Sequence, residues 1–145
     1  MKEYSMKWYK FIIYVHLFFT ALRSIGSAYV FFSGSLYQGN ANAVYAAFSG
    51  MKTLDMLMGI INIGIAVFCI IVRQKLANFK KEGPDWYLTL IGLSLATSIM
   101  YIGMASIITG INLMNSSIVP SIVEIIVLLV ANRIYFDNRK ELFVN

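Results

Sequence analysis

Five ionisable or strongly polar side chains sit inside otherwise apolar sequence: Arg23, Asp55, Asn62, Tyr101 and Glu124. A guanidinium in such a setting can hold an anion or tune a nearby carboxylate. A carboxylate there can bind a cation or a proton, and an amide and a phenol can supply hydrogen bonds. Intramembrane ionisable residues are functional hypotheses by default. His16 lies in the same kind of setting and reads as a hydrogen-bonded core residue before it reads as a proton relay. No nucleophile–base pair and no metal-ligating cluster can be assembled from the sequence. No catalytic residue, metal or cofactor is therefore assigned, and an enzyme is the least favoured class.

The stretches that carry these residues set their positions. The chain has 145 residues, 59% of them hydrophobic and 13% charged, with a mean hydropathy of +0.70. Soluble domains carry roughly a quarter charged residues. Apolar blocks here reach the ~20 residues that a bilayer-spanning helix needs. Four blocks qualify, at about 11–32, 53–72, 86–109 and 118–136, in a single transmembrane domain over 1–145. Helices are the available form, because an open strand would leave backbone groups unpaired in lipid. The expected fold is an all-α integral membrane protein, an antiparallel bundle of four transmembrane helices.

Orientation follows from charge. Ten of the twelve basic residues cluster before the first span, after the second and at the end of the fourth, and the opposite side has only Lys52. By the positive-inside rule both termini are cytoplasmic, in the cell membrane. Trp8, Trp86 and Tyr135 fall at that boundary as aromatic anchors. The same placement, at helix ends rather than along a groove, turns the net charge of +5 away from nucleic acid. A signal-peptide reading of the N-terminus fails because the first apolar block runs on past Gly26-Ser27-Ala28 to Phe32. Cys69 is the one cysteine, which excludes internal disulfides, CxxC redox chemistry and zinc ribbons.

At ~1.5 Å per residue, Arg23 lies about 18 Å from the basic boundary, Glu124 about 20 Å, Asn62 about 16 Å, and Thr97 and Ser98 about 17 Å. Asp55 lies nearer the other surface, at about 27 Å. Helical spacing then gives one polar, small-residue stripe per span: His16, Thr20, Arg23 and Ser27; Asp55, Gly59, Asn62, Ala66 and Cys69; Ser94, Ser98, Tyr101 and Ala105; Ser117, Ser121 and Glu124. Such stripes mark the bundle interior. Arg23 is expected to pair with Glu124, which matches it in depth and sign, with Asp55 as second choice. The segment Ser33 to Gly50 reads as a partly ordered lid or interfacial helix rather than a flexible linker. Asn115-Ser116-Ser117 fits the glycosylation pattern.

Known four-span classes fail on their motifs. Small multidrug transporters need a carboxylate in the first span, thiol–quinone oxidoreductases need cysteine pairs, and membrane b-type cytochromes need several histidines. Fluoride channels need a glycine-rich first half that ends in an Arg-Tyr pair. The ending NRIYFDNRKELF resembles that of uncharacterised small four-span membrane proteins of bacteria, a likeness that implies the general plan and no activity. Two functions follow from the residues. The first is a site centred on Arg23 and Glu124, open toward the outer face, that handles a small ligand or ion. The second is a non-catalytic assembly subunit in which the Arg–Glu pair is structural. The expected partners are the lipid bilayer with a small ligand or ion, and a second copy or a larger membrane complex.

Overall fold

The computed structural model describes residues 6–113 and 118–144. Among these residues every regular element is helical. Helix α1 spans Lys7–Ser33, α2 Ala41–Ala47, α3 Met51–Ala77, α4 Gly83–Thr109 and α5 Ile118–Asp137. All but α2 are long and apolar enough to cross a membrane. Short 3-10 turns at Ser35–Tyr37 and Lys140–Leu142 complete the chain.

Local chemistry sets the boundaries. Gly34 ends α1 in the left-handed conformation, φ 66°, where a Cβ is costly. Added there, a Cβ would also lie 2.7 Å from the Cβ of Ala41, so this glycine lets the chain fold back on itself. Helix α3 continues past its apolar block through Arg73 and Lys75, and there the Lys75 ammonium pairs with Glu82 and lies over the Trp86 ring. Gly83 opens α4. Pro84 occupies the first turn, where its missing N–H costs nothing. Within α1, Ile12–His16 form a π-helical stretch, and both Ile12 and Ile13 are buried there.

Helix α3 packs along both α1 and α4, while α5 packs on α4. Two apolar clusters result. At the end of the bundle that carries most basic residues (the basic end), Ile12 and Leu17 of α1 meet Cys69, Val72 and Leu76 of α3 and Tyr87 and Leu90 of α4, with Phe136 and Phe143. At the opposite end, Met51, Leu54, Met58 and Ala105 are covered by Phe31, Tyr37, Tyr45 and Phe48, so the segment between α1 and α3 forms a lid. No α5 residue joins this second cluster.

Helix α5 joins the bundle chiefly at one end. Its two buried residues, Asn132 and Phe136, both lie toward the basic end. There Trp8 Nε1 donates to Asn132 Oδ1 at 3.0 Å and ties α1 to α5. Farther along, Ser121 and Glu124 are exposed, so the fourth polar stripe is not interior. Ser117 and the Asn115 sequon lie outside the described residues. The first stripe is rotated by about one position from expectation. Leu17, Ser24 and Ala28 are the buried residues, with Thr20 and Ser27 beside them and Arg23 exposed. In α3 the expected stripe is buried at Asp55, Gly59, Ala66 and Cys69. Gly59 sits so close to Phe32 that an added Cβ would fall 2.7 Å from its ring.

Candidate functional site

Between the two apolar clusters α1, α3 and α4 enclose a cavity of about 360 Å³. Arg23 enters it from α1, Asn62 from α3 and Tyr101 from α4. Three of the five sequence-selected residues therefore share one space. Glu124 does not line it, and Ile125 is the single α5 residue that does.

The ion pair expected between Arg23 and Glu124 is not formed. Among the described residues the ion pairs are Lys75–Glu82, Arg133–Asp85, Arg133–Asp137 and Lys140–Asp137, all at the basic end. Matched depth was insufficient because α5 rests on α4 rather than closing against α1. Asp55, the second choice, is committed elsewhere.

Hydroxyls line the cavity beside Arg23, and most have already placed their protons. Thr20 Oγ1 donates to the His16 carbonyl at 2.8 Å, Ser94 Oγ to that of Leu90 at 2.9 Å, and Ser98 Oγ to that of Ser94 at 2.9 Å. Thr97 Oγ1 likewise donates to Ser94 O at 3.0 Å, and Asn62 Nδ2 to Met58 O at 2.8 Å. Such back-bonding to the preceding turn is available to short polar side chains in helices. It leaves their oxygens facing the cavity as acceptors. The guanidinium, with five N–H donors and no acceptor, is the complementary element. The cavity thus offers one fixed cation in a field of acceptors.

Asp55 lies beyond the cavity toward the lid, only 1% exposed. Three phenols donate to its carboxylate: Tyr37 to Oδ2 at 2.8 Å, Tyr45 to Oδ2 at 3.0 Å and Tyr101 to Oδ1 at 3.0 Å. Hydrogen bonds to a charged acceptor are the strong kind, and here they offset the cost of burying the ion. Burial first, and then hydrogen bonding to Asp55, pushes the Tyr37 and Tyr45 phenols up to about 12. Tyr101 lines the cavity and holds Asp55 as well, so a single side chain joins the polar space to the lid.

Tyr37 and Tyr45 escaped the reading of helical stripes because they stand in the segment between the long helices α1 and α3. The signal that points to them is the need of a deep carboxylate for donors. His16 is hydrogen-bonded within the bundle, its Nδ1 3.2 Å from Tyr87 Oη. Trp8 serves as more than a boundary aromatic, given its bond to Asn132. No group of three or more His, Cys, Asp or Glu that could hold a metal occurs among the described residues. No family model, curated protein or solved structure matches the chain.

Proposed function

We propose that this chain is a multi-pass protein of the cell membrane, with both termini cytoplasmic, that binds or transports a small anion-bearing ligand in the cavity around Arg23. The belt of exposed apolar side chains supports insertion. Phe18 is 58% exposed, Ile60 62% and Ile107 82%, more apolar surface than a water-exposed bundle tolerates. The positive-inside bias supports the orientation.

The observation that carries the functional reading is a guanidinium lining a 360 Å³ cavity without a counter-ion among the described residues. Ligand pockets run from about 300 to 1,000 Å³. An uncompensated charge at bilayer depth costs about 2.5–3.5 kcal/mol even on the lenient insertion scale. A ligand anion removes that cost, while Asn62 and Tyr101 orient the remainder. Glu124, outside the cavity, stands one position from its wall and acts on a cation or proton at the rim.

Purification in a neutral detergent, followed by native mass spectrometry, tests this reading. The wild type should retain an anionic small molecule that Arg23→Gln loses while melting at a comparable temperature. Identical ligand content in the two proteins would refute it. The uncovered half of α5 favours a second reading, a subunit that docks there on a larger complex. Co-purification of a stoichiometric second chain, with the cavity empty, would select it.

A further inference from the structure

We infer that the ligand is an amphiphile, an anionic headgroup bearing hydroxyls on an apolar tail, which reaches the cavity sideways from the bilayer between α1 and α5. The inference rests on the ligand-binding reading above and names the class of molecule and its route.

The ends of the cavity are closed. Toward the lid, Met58 is 4% exposed, and beyond it Leu54 and Met51 are each 3% exposed beneath Phe31, Tyr45 and Phe48. The Asp55 cluster holds that cover in place through two lid tyrosines. The expected opening toward the outer face is therefore occupied. Toward the basic end Leu17, Cys69 and Leu90 are each 1% exposed, in a core to which all four long helices contribute. Water has no ready path from either end.

The side is different. Helix α3 lies against both α1 and α4 and forms the floor. On the opposite side the exposed lining residues are Arg23 of α1 and Ser98 of α4, with Ile125 the sole contribution of α5. Helices α1 and α5 are joined by the Trp8–Asn132 bond near the basic end, and α5 has no buried residue at the level of Arg23. In a bilayer such a gap between spanning helices faces acyl chains. What enters by it must dissolve in hydrocarbon at one end and satisfy a guanidinium at the other.

The lining specifies the head. Arg23 takes a phosphate or carboxylate oxygen, two at once in the geometry that suits guanidinium best. The acceptor oxygens of Thr20, Ser94 and Thr97 call for donors on the same head, such as hydroxyls. Phe31, Ile102 and Ile125 supply apolar wall where head gives way to tail.

Three probes separate the possibilities when added to the full-length protein in dodecyl maltoside, with binding read by native mass spectrometry and by melting temperature. Lysophosphatidylglycerol has the anion, the hydroxyls and the tail. Lysophosphatidylcholine has the same tail and phosphate but carries choline in place of the terminal glycerol. Its head is therefore zwitterionic and lacks that glycerol's two hydroxyls, and glycerophosphoglycerol is the free head. The expected order has lysophosphatidylglycerol at least about tenfold tighter than lysophosphatidylcholine, the worth of a charge-assisted hydrogen bond. Arg23→Gln should abolish that preference and Arg23→Lys, which keeps the charge, should retain part of it. Ile125→Trp, which narrows the side opening, should weaken both lysolipids and leave glycerophosphoglycerol unchanged. If glycerophosphoglycerol binds as tightly as its lipid, and through Arg23, the cavity stands as a ligand site and the membrane-borne ligand is refuted. If no probe shows Arg23-dependent binding, both readings fall. Equal lysophosphatidylglycerol binding by wild type and Arg23→Gln would mark annular lipid and overturn the inference.

Discussion

Three phenols converge on the Asp55 carboxylate from two parts of the chain, two from the lid and one from α4. Their contributions should not be equal under substitution. Asp55→Leu leaves three hydroxyls facing a surface that accepts nothing, and it should lower the melting temperature most. Asp55→Asn keeps one acceptor oxygen and presents N–H donors to phenols that can turn to receive them, so its loss should be smaller. Tyr37→Phe and Tyr45→Phe remove one donor each and should cost about 1–2 kcal/mol apiece. The pair should be non-additive because both donate to Oδ2. Thermal melts of the four variants in detergent decide the order. An Asp55→Leu protein that melts with the wild type would show that the cluster does not hold the lid.

Among the elements, the lid has the least regular structure and depends on a few polar contacts. A 3-10 turn and the seven-residue α2 are held down by aromatic cover and by Asp55. Its pH dependence follows from Tyr37 and Tyr45. Both folded-state values are raised from 10.0 to about 12, so the folded state favours the neutral phenols. The stability they confer is fully present below pH 10 and disappears as pH rises through about 12. Melting temperature should hold nearly level up to about pH 10 and then fall. The fall should be steeper in the wild type than in a Tyr37→Phe/Tyr45→Phe variant, since every other tyrosine is common to both. Equal slopes would mean that the lid does not respond to phenol ionisation. The lid also shows where sequence reading stops. Order in Ser33 to Gly50 was legible from its aromatic and small residues. The partners of its tyrosines were not, because Asp55 lies 18 and 10 positions away and no periodicity connects a loop to a helix face. The α3 stripe was legible, since a helix packed on two sides buries what its pattern says. The α5 stripe was not, since the same pattern on a helix packed on one side leaves Glu124 outside, and depth alone could not reveal that Arg23 would lack its partner.

For the molecule as a whole, the asymmetry between its ends is both electrostatic and mechanical. All the ion pairs above, and the Lys75 ammonium 4.2 Å over the Trp86 ring, lie at the basic end, where the four long helices meet. The proposed orientation can be tested with single cysteines in a Cys69→Ser background. Positions 36–46 should react with an impermeant thiol reagent applied outside intact cells, and positions 77–82 should not. Labelling confined to 77–82 would invert the topology and place the lid in the cytoplasm.

Phe143, 5% exposed, lies against three other rings, with centroids 5.9 Å from Tyr9, 5.9 Å from Phe79 and 5.8 Å from Phe136. Those rings come from the first helix, the turn after α3 and the end of α5, so residues far apart in order of synthesis share one keystone. The ribosome releases Phe143 only after all four long helices have been made. Until then a nascent chain lacks the ring that closes this aromatic cluster at the basic end. Loss of this one ring, as in Phe143→Ala, would therefore uncover aromatic surface drawn from three separate parts of the chain at once.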